Sequence, residues 1–352
     1  MNLNGTYDGW SRTFSGPDVT WAGANPFSTG FCFGFDDGTV AFTDENGVRD
    51  VLREKYSESG EPINGLASDG ATCFAVSTRS DVTFVMKNAD GGSTASIFPS
   101  GSHGIAVTHS GYYVSPLGIN GLLVMKPSPE EIKQPMRIAE GPKDRLYFLR
   151  ALPLHDERGK EALVFATRRD GVGYTAFAGN ESVRNVHTIT SLGLDIIDVC
   201  EIRPGTLATA AISIDGILML FSDVLNSLHP ITIKLGGIEG TVYRLLSSRG
   251  HLFVLTSKAM YAWLGLIDGL LDGNPIEENS VPVIMPMEAV DATLVRDTVL
   301  LVVMAVNEVR RIDIRTIEKL SSTRTDSFVR TTLTPTWLEK DISQSLLSAI
   351  VG

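Results

Sequence analysis

An all-β chain closed into a seven-bladed β-propeller of four-stranded antiparallel blades is the fold class this sequence predicts, and three observations predict it. Seven turns, six of them marked by glycine, recur at Gly30, Gly70, Gly111, Gly159, Gly205, Gly250 and Arg296-Asp297, spaced 40, 41, 48, 46, 45 and 47 residues apart. Each is followed about ten residues later by a second turn, at Asp37-Gly38, Ser80-Asp81, Asn120-Gly121, Asp170-Gly171, Asp215-Gly216, Lys258-Ala259 and Asn307-Glu308. Between the turns lie small, β-branched and aromatic residues such as Ala71-Thr72-Cys73-Phe74-Ala75-Val76-Ser77, which suit a strand buried on both faces. A strand-built period in the forties corresponds to one propeller blade per repeat.

The elements follow from that template, with strands labelled a to d outward from the axis. Repeat one has strand a over Asp18 to Ala22, ahead of Gly30. Repeat two reads Ile63 to Ser68, Ala71 to Ser77, Val82 to Met86 and Ser93 to Phe98. Repeat five reads Ile196 to Ile202, Leu207 to Ile214, Ile217 to Ser222 and Pro230 to Leu235; repeat six Thr241 to Leu246, His251 to Thr256, Met260 to Leu264 and Val281 to Met285. Repeat seven supplies Glu288 to Val295, Thr298 to Val306 and Val309 to Ile314, leaving its outer strand open. The Asp-Gly and Asn-Gly pairs carry a mechanism, because tight hairpin turns that match strand twist need positive φ.

Thr6 to Phe14 has no blade of its own in chain order and is placed as the outer strand of blade seven. Such pairing of the chain ends removes an open sheet edge. Asp326 to Leu333 competes for the same position. Two stretches break the pattern. Gly265 to Ser280 is too long for a tight turn and carries Leu266, Ile267, Leu270 and Leu271, which read as cover for a blade edge. In the tail, Thr334-Pro335 resembles a helix start, and Leu338, Ile342, Leu346 and Ile350 recur every four residues. The expected organisation is a propeller over residues 1–333 and a C-terminal amphipathic α-helix over 334–352.

Composition narrows the function classes. The chain has 352 residues, 43% of them apolar, enough to fill a core in every repeat. A formal charge of −11 disfavours non-specific nucleic-acid binding, and the short basic pairs Arg168-Arg169 and Arg310-Arg311 read as solvated faces. Cys32, Cys73 and Cys200 fall in strands at no zinc-like spacing and in odd number, which suits buried thiols in a reducing compartment. No apolar run approaches the length of a membrane span or a leader, so the expectation is a soluble, cytoplasmic protein with no membrane partner.

Phe33-Gly34-Phe35-Asp36-Asp37-Gly38-Thr39-Val40 and Ala211-Ile212-Ser213-Ile214-Asp215-Gly216-Ile217-Leu218 resemble the strand–Asp-Gly–strand core of WD-repeat-like β-propellers, over roughly residues 5 to 330. No repeat ends in a Trp-Asp pair and no Gly-His dipeptide opens an outer loop, so the structural Asp–His–Ser–Trp network of true WD repeats transfers to no residue here. The resemblance implies a rigid disc whose loops specify activity.

Catalytic motifs are lacking. The six histidines form no HxH or HExxH, and there is no GxSxG elbow, Walker loop or dinucleotide fingerprint. The Asp-Gly hairpin of residues 34–39 also resembles part of a sialidase aspartate box, which is itself structural, and no arginine cluster accompanies it. The expectation is therefore a non-catalytic protein–protein interaction platform with no cofactor. Its candidate partner-binding face is the acidic set of b–c turns, Asp36, Asp37, Asp81, Asp170, Asp215 and Glu308, which would favour a protein partner with a basic surface. The alternative is a propeller hydrolase or lactonase holding calcium in its central channel. Asp195, Asp198, Glu288 and Asp291, in or beside strands a, are then its candidate ligands.

Overall fold

A computed structural model describes residues 11–47, 49–70, 72–88, 91–97, 101–127, 138–139, 146–179, 186–189, 194–226, 229–271 and 282–322. Within them the chain forms seven four-stranded antiparallel sheets. Blade 1 comprises Val19–Ala24, Phe31–Phe35, Thr39–Thr43 and Asp50–Lys55; blade 2 comprises Gly65–Ser68, Cys73–Ser77, Val82–Asn88 and Gly91–Ile97. Blade 3 comprises Ala106–Val107, Tyr113–Pro116, Leu122–Met125 and Ile138–Ala139; blade 4 Tyr147–His155, Glu161–Arg168, Val172–Phe177 and His187–Ile189. Blade 5 comprises Ile196–Glu201, Thr209–Ser213, Ile217–Phe221 and Ile231–Lys234; blade 6 Val242–Ser248, His251–Thr256, Ala259–Trp263 and Val283–Pro286. Blade 7 takes Ala289–Val295, Val299–Met304 and Glu308–Asp313 from the end of the chain and Ser11–Thr13 from its beginning.

Each blade–blade interface has its own apolar core, and seven such clusters complete the circle. Strand alternation produces this directly, because successive side chains point to opposite faces. In strand b of blade 1, Phe31, Phe33 and Phe35 face blade 7, whereas Cys32 faces blade 2. Both faces are covered, so the b strands read as continuous apolar runs. Gly34 sits where a Cβ would collide with the side chain of Ile63, so its lack of a side chain lets blade 2 approach.

The ring closes through several interactions at once. Ser11, Arg12 and Thr13 pair with Arg310, Val309 and Glu308. Phe14 packs edge-on against Phe33 and Phe35 at 5.2 and 5.3 Å between ring centroids. Arg12 bonds Asp50 at 2.7 Å and lies over the Phe14 ring. Asn307, at φ +55°, accepts a bond from Val19 N at 2.8 Å and donates one to Phe14 O at 3.2 Å. The part of Thr6–Phe14 before Ser11 lies outside the described residues, as do Asp326–Leu333 and the helix expected over 334–352.

Two short helices interrupt the strands. Leu266–Leu271 forms a helix between strands c and d of blade 6, and its Leu266 and Ile267 enter the core between blades 5 and 6. A second helix, Ile314–Ser322, follows strand c of blade 7 directly and has no counterpart in the sequence reading. Asp313 caps it by accepting a bond from Arg315 N at 2.9 Å. Ile314 and Ile317 are buried between blades 6 and 7, and Glu318 binds His251 at 2.9 Å and Arg249 at 3.3 Å. No helix of the described residues is long and apolar enough to cross a membrane.

Candidate functional site

The b–c hairpins and the d–a connections share one face, and a repeated hydrogen bond joins them. The residue after strand b donates to the residue before strand a: Asp36 N to Asp18 O, Ile214 N to Asp195 O, Ser257 N to Thr241 O, and Ala305 N to Glu288 O, at 2.9–3.0 Å. We call this the upper face. Its turns carry the acidic residues singled out in the sequence, and these have different employments. Asp36 and Asp215 are exposed. Asp36 caps Asp18 N at 3.0 Å, and Asp37 caps Thr39 through its N and Oγ1 at 3.0 and 2.6 Å. Asp170 is half-buried, and Glu308 holds Arg310 Nε at 2.9 Å. Asp81 is only 1% exposed and accepts bonds from Ser57 Oγ, Ser59 N and Thr78 Oγ1, so its charge ties the blade 1–2 connection to the hairpin rather than facing a partner.

Apolar side chains also gather on this face. Of the nine large apolar residues exposed among those described, five are here: Ile119, Ile214 and Val306 at hairpin tips, and Tyr243 and Val290 at the channel mouth. Exposed apolar side chains scattered singly need no explanation, but a concentration on one face does.

The channel lining is set by a recurrent bulge. In the inner strands of blades 1, 4, 5, 6 and 7 the pairing register shifts by one residue, leaving Thr20, Leu149, Ile197, Tyr243 and Val290 as the extra residues. A bulge re-aims the side chains beside it. All five extra residues line an upper chamber of about 790 Å³. The residues that follow in blades 4 to 7 are Arg150, Asp198, Arg244 and Asp291, an alternation of charge on consecutive blades. A lower chamber of about 520 Å³ opens toward the a–b turns at Pro204, Arg249 and Asp297. Asn64, His103, Arg150 and Arg244 line both chambers and mark the waist between them.

At the waist, Arg244 forks onto Asp291, with Nη2 to Oδ2 at 3.1 Å and a closer Nε bond to Oδ1. Its Nη1 lies 3.8 Å from Asp198, and Arg150 Nε lies 3.9 Å from the other oxygen of Asp198. Asp198 accepts backbone bonds from Val199 N at 3.0 Å and Leu245 N at 2.9 Å, tying blade 5 to blade 6. Arg150 Nη1 donates to His103 O at 3.3 Å. Burial opposes the charge on Arg244, but Asp291 and Asp198 outweigh it and hold its pKa above the ordinary value. Burial lowers Arg150 to about 10, with Arg244 adding to the shift and Asp198 and Asp291 opposing it. His103 is lowered by burial, then by Arg150 and Arg79, which favours its neutral form.

The four carboxylates offered as calcium ligands are not brought together. Asp198 and Asp291 do line the channel, where Arg244 is forked onto Asp291 and lies 3.8 Å from Asp198. Asp195 instead caps Arg169 N at 2.8 Å, and Glu288 is exposed on the upper face. Among the described residues no three His, Cys, Asp or Glu side chains come together as a metal site. Arg150 and Arg244 are the functional candidates that sequence reasoning passed over. Their signal was the spacing of Arg150, Asp198, Arg244 and Asp291, which are 48, 46 and 47 residues apart and so occupy one position of the repeat.

No protein-family model and no curated protein matches the sequence. Solved structures do match. The β-propeller domain of Myceliophteria thermophila Cps50 (Swd1) aligns with a TM-score of 0.57 at 10% identity, covering 85% of this chain and 97% of that one. The likeness is one of fold. At that identity it carries no residue-level correspondence, and the chamber and waist must be read from this chain's own side chains.

Proposed function

We propose that this propeller is a protein–protein interaction platform of the WD-repeat-like kind, and that its partner docks on the upper face over blades 5 to 7. The observation that carries this is the concentration of exposed Ile214, Tyr243, Val290 and Val306 on those three blades. Exposed acidic side chains, Asp215, Glu288 and Glu239, the last 3.6 Å from Lys258 Nζ, lie on the same face of these blades. An apolar patch with acidic neighbours suits a partner segment that presents apolar anchors flanked by Lys or Arg. The fold likeness to the Cps50 (Swd1) propeller domain and the hairpin sequence of residues 211–218 support the same reading. Cys32, Cys73 and Cys200 are free, buried thiols, in keeping with action in a reducing compartment such as the cytoplasm.

The test is quantitative affinity capture with three forms of the full chain: native, the double variant Ile214→Asp/Val306→Asp, and Val51→Asp as a control on an outer strand. A partner recovered by the native and control forms but lost with the double variant is the expected result. Failure to recover any protein, or equal recovery by all three forms, refutes the proposal.

A further inference from the structure

The upper chamber has the makings of a small-molecule site, and this holds whether or not the upper face docks a protein. Its volume of about 790 Å³ falls within the ~300–1,000 Å³ of ligand pockets, which are mostly apolar with a few fixed polar groups. Leu149, Ile197, Tyr243, Val290 and Met304 supply apolar wall, and Arg150 stands at the floor. A guanidinium has five N–H donors in a fork. Among the described residues Arg150 uses one of them, in the bond to His103 O, and its nearest carboxylate oxygen is 3.9 Å away, beyond hydrogen-bond range. Arg244, the other channel cation, is already forked onto Asp291. Both oxygens of Asp198 already accept backbone bonds, from Val199 N of blade 5 and Leu245 N of blade 6.

We propose that the upper chamber binds a small monocarboxylic acid with an aromatic or branched apolar body, its carboxylate forked on Arg150 and its body against Ile197, Tyr243 and Val290. Guanidinium and carboxylate match in a bidentate geometry, and in a partly desolvated channel such a pair is stronger than in water. The lowered pKa of Arg150 agrees, since burial and Arg244 leave its charge under-compensated. One negative charge is favoured over two, because Asp291 and Asp18 also line the chamber and would repel a second.

The test uses the purified full chain in isothermal titration calorimetry with 3-phenylpropionate, its uncharged analogue 3-phenylpropanol, and acetate. The acid is expected to bind saturably at one site, the alcohol not at all, and acetate far more weakly than the acid. Arg150→Gln should weaken binding of the acid by more than about tenfold, the scale of a lost charge-assisted bond. Val290→Trp, at a position 49% exposed, should block the mouth while leaving Arg150 and the fold intact, and decides the matter if Arg150→Gln does not fold. The proposal fails if no saturable heat appears up to about 10 mM acid. It also fails if the alcohol binds equally, or if Val290→Trp binds the acid as the native chain does.

Discussion

Removing the Arg244 guanidinium should destabilise the ring far more than an exposed charge would. Its side chain is 11% exposed, and its partners Asp291 and Asp198 are 14% and 6% exposed. In Arg244→Met, Asp291 keeps, among the described residues, its bond from Ala292 N and a long-range attraction to Arg150, and Asp198 keeps two backbone bonds and the distant Arg150. Breaking a buried ion pair by deleting one member costs about 3–5 kcal/mol, because the other charge is left uncompensated. Since Asp291 is the more completely abandoned of the two, we expect about 3–4 kcal/mol. The assay is urea unfolding of the native chain, Arg244→Met, Asp291→Leu and the double variant. The double variant should recover at least about 2 kcal/mol of the summed single losses, as directly interacting residues do in such a cycle. If Arg244→Met costs less than about 1 kcal/mol, the range of exposed pairs, the waist is solvated and the argument is wrong.

Two further expectations follow from the closure and the channel. Deleting residues 1–15 removes the Arg12–Asp50 pair and the buried Phe14, whose truncation alone is worth about 3–5 kcal/mol, and bares the edge Glu308–Asp313. The melting temperature should fall and light scattering should show concentration-dependent association; an unchanged melt would place the closing strand elsewhere, as with Asp326–Leu333. In a pH series, His103 and Glu201 should act with opposite sign. The folded pKa of His103 is lowered from 6.5, so its contribution is intact above that value and declines as pH falls and the unfolded chain takes up the proton first. Glu201 is raised from 4.5, chiefly by burial, so its contribution is present below that value and is lost as pH rises through its folded pKa. Glu201→Gln should therefore stabilise at neutral pH and His103→Asn should flatten the acid limb, both read from urea midpoints; a pH-independent difference for either variant refutes its assignment.

The ring was legible because its signals are local and repeated. A turn such as Asp215-Gly216 announces itself within two residues, and an alternating strand such as Phe31–Phe35 within five. The helix Ile314–Ser322 was not legible, since it continues strand c without a break and its buried Ile314 and Ile317 are a single i, i+3 pair, too short a run to show a period. Asp81 looked like every other hairpin aspartate. Its burial depends on Ser57 and Ser59, which come from the preceding connection and meet it only through the tertiary fold. The channel was half visible: Asp198 and Asp291 stood out as carboxylates near the axis, but their arginine partners lie on other blades. The spacing of 48, 46 and 47 residues puts the four at one position of the repeat, but the pairing of each arginine with a carboxylate on a neighbouring blade emerges only from the closed ring.

That shared position also bears on why the channel is polar at all. The inner strands of blades 2 and 3 pair without a register shift, so the ring is regular in its blades but one-sided at its axis. Stability alone does not demand the alternation of Arg150, Asp198, Arg244 and Asp291. Replacing a buried ion network by apolar residues of similar volume is often neutral or stabilising by about 1–4 kcal/mol. The seven interface cores already hold adjacent blades together without it. A charged waist beneath an apolar collar therefore costs desolvation that the fold does not require, and it leaves one guanidinium with donors to spare. Occupation of the chamber by the proposed acid would give those spare donors a partner, and the calorimetry on Arg150→Gln and Val290→Trp decides whether the alternation is kept for that.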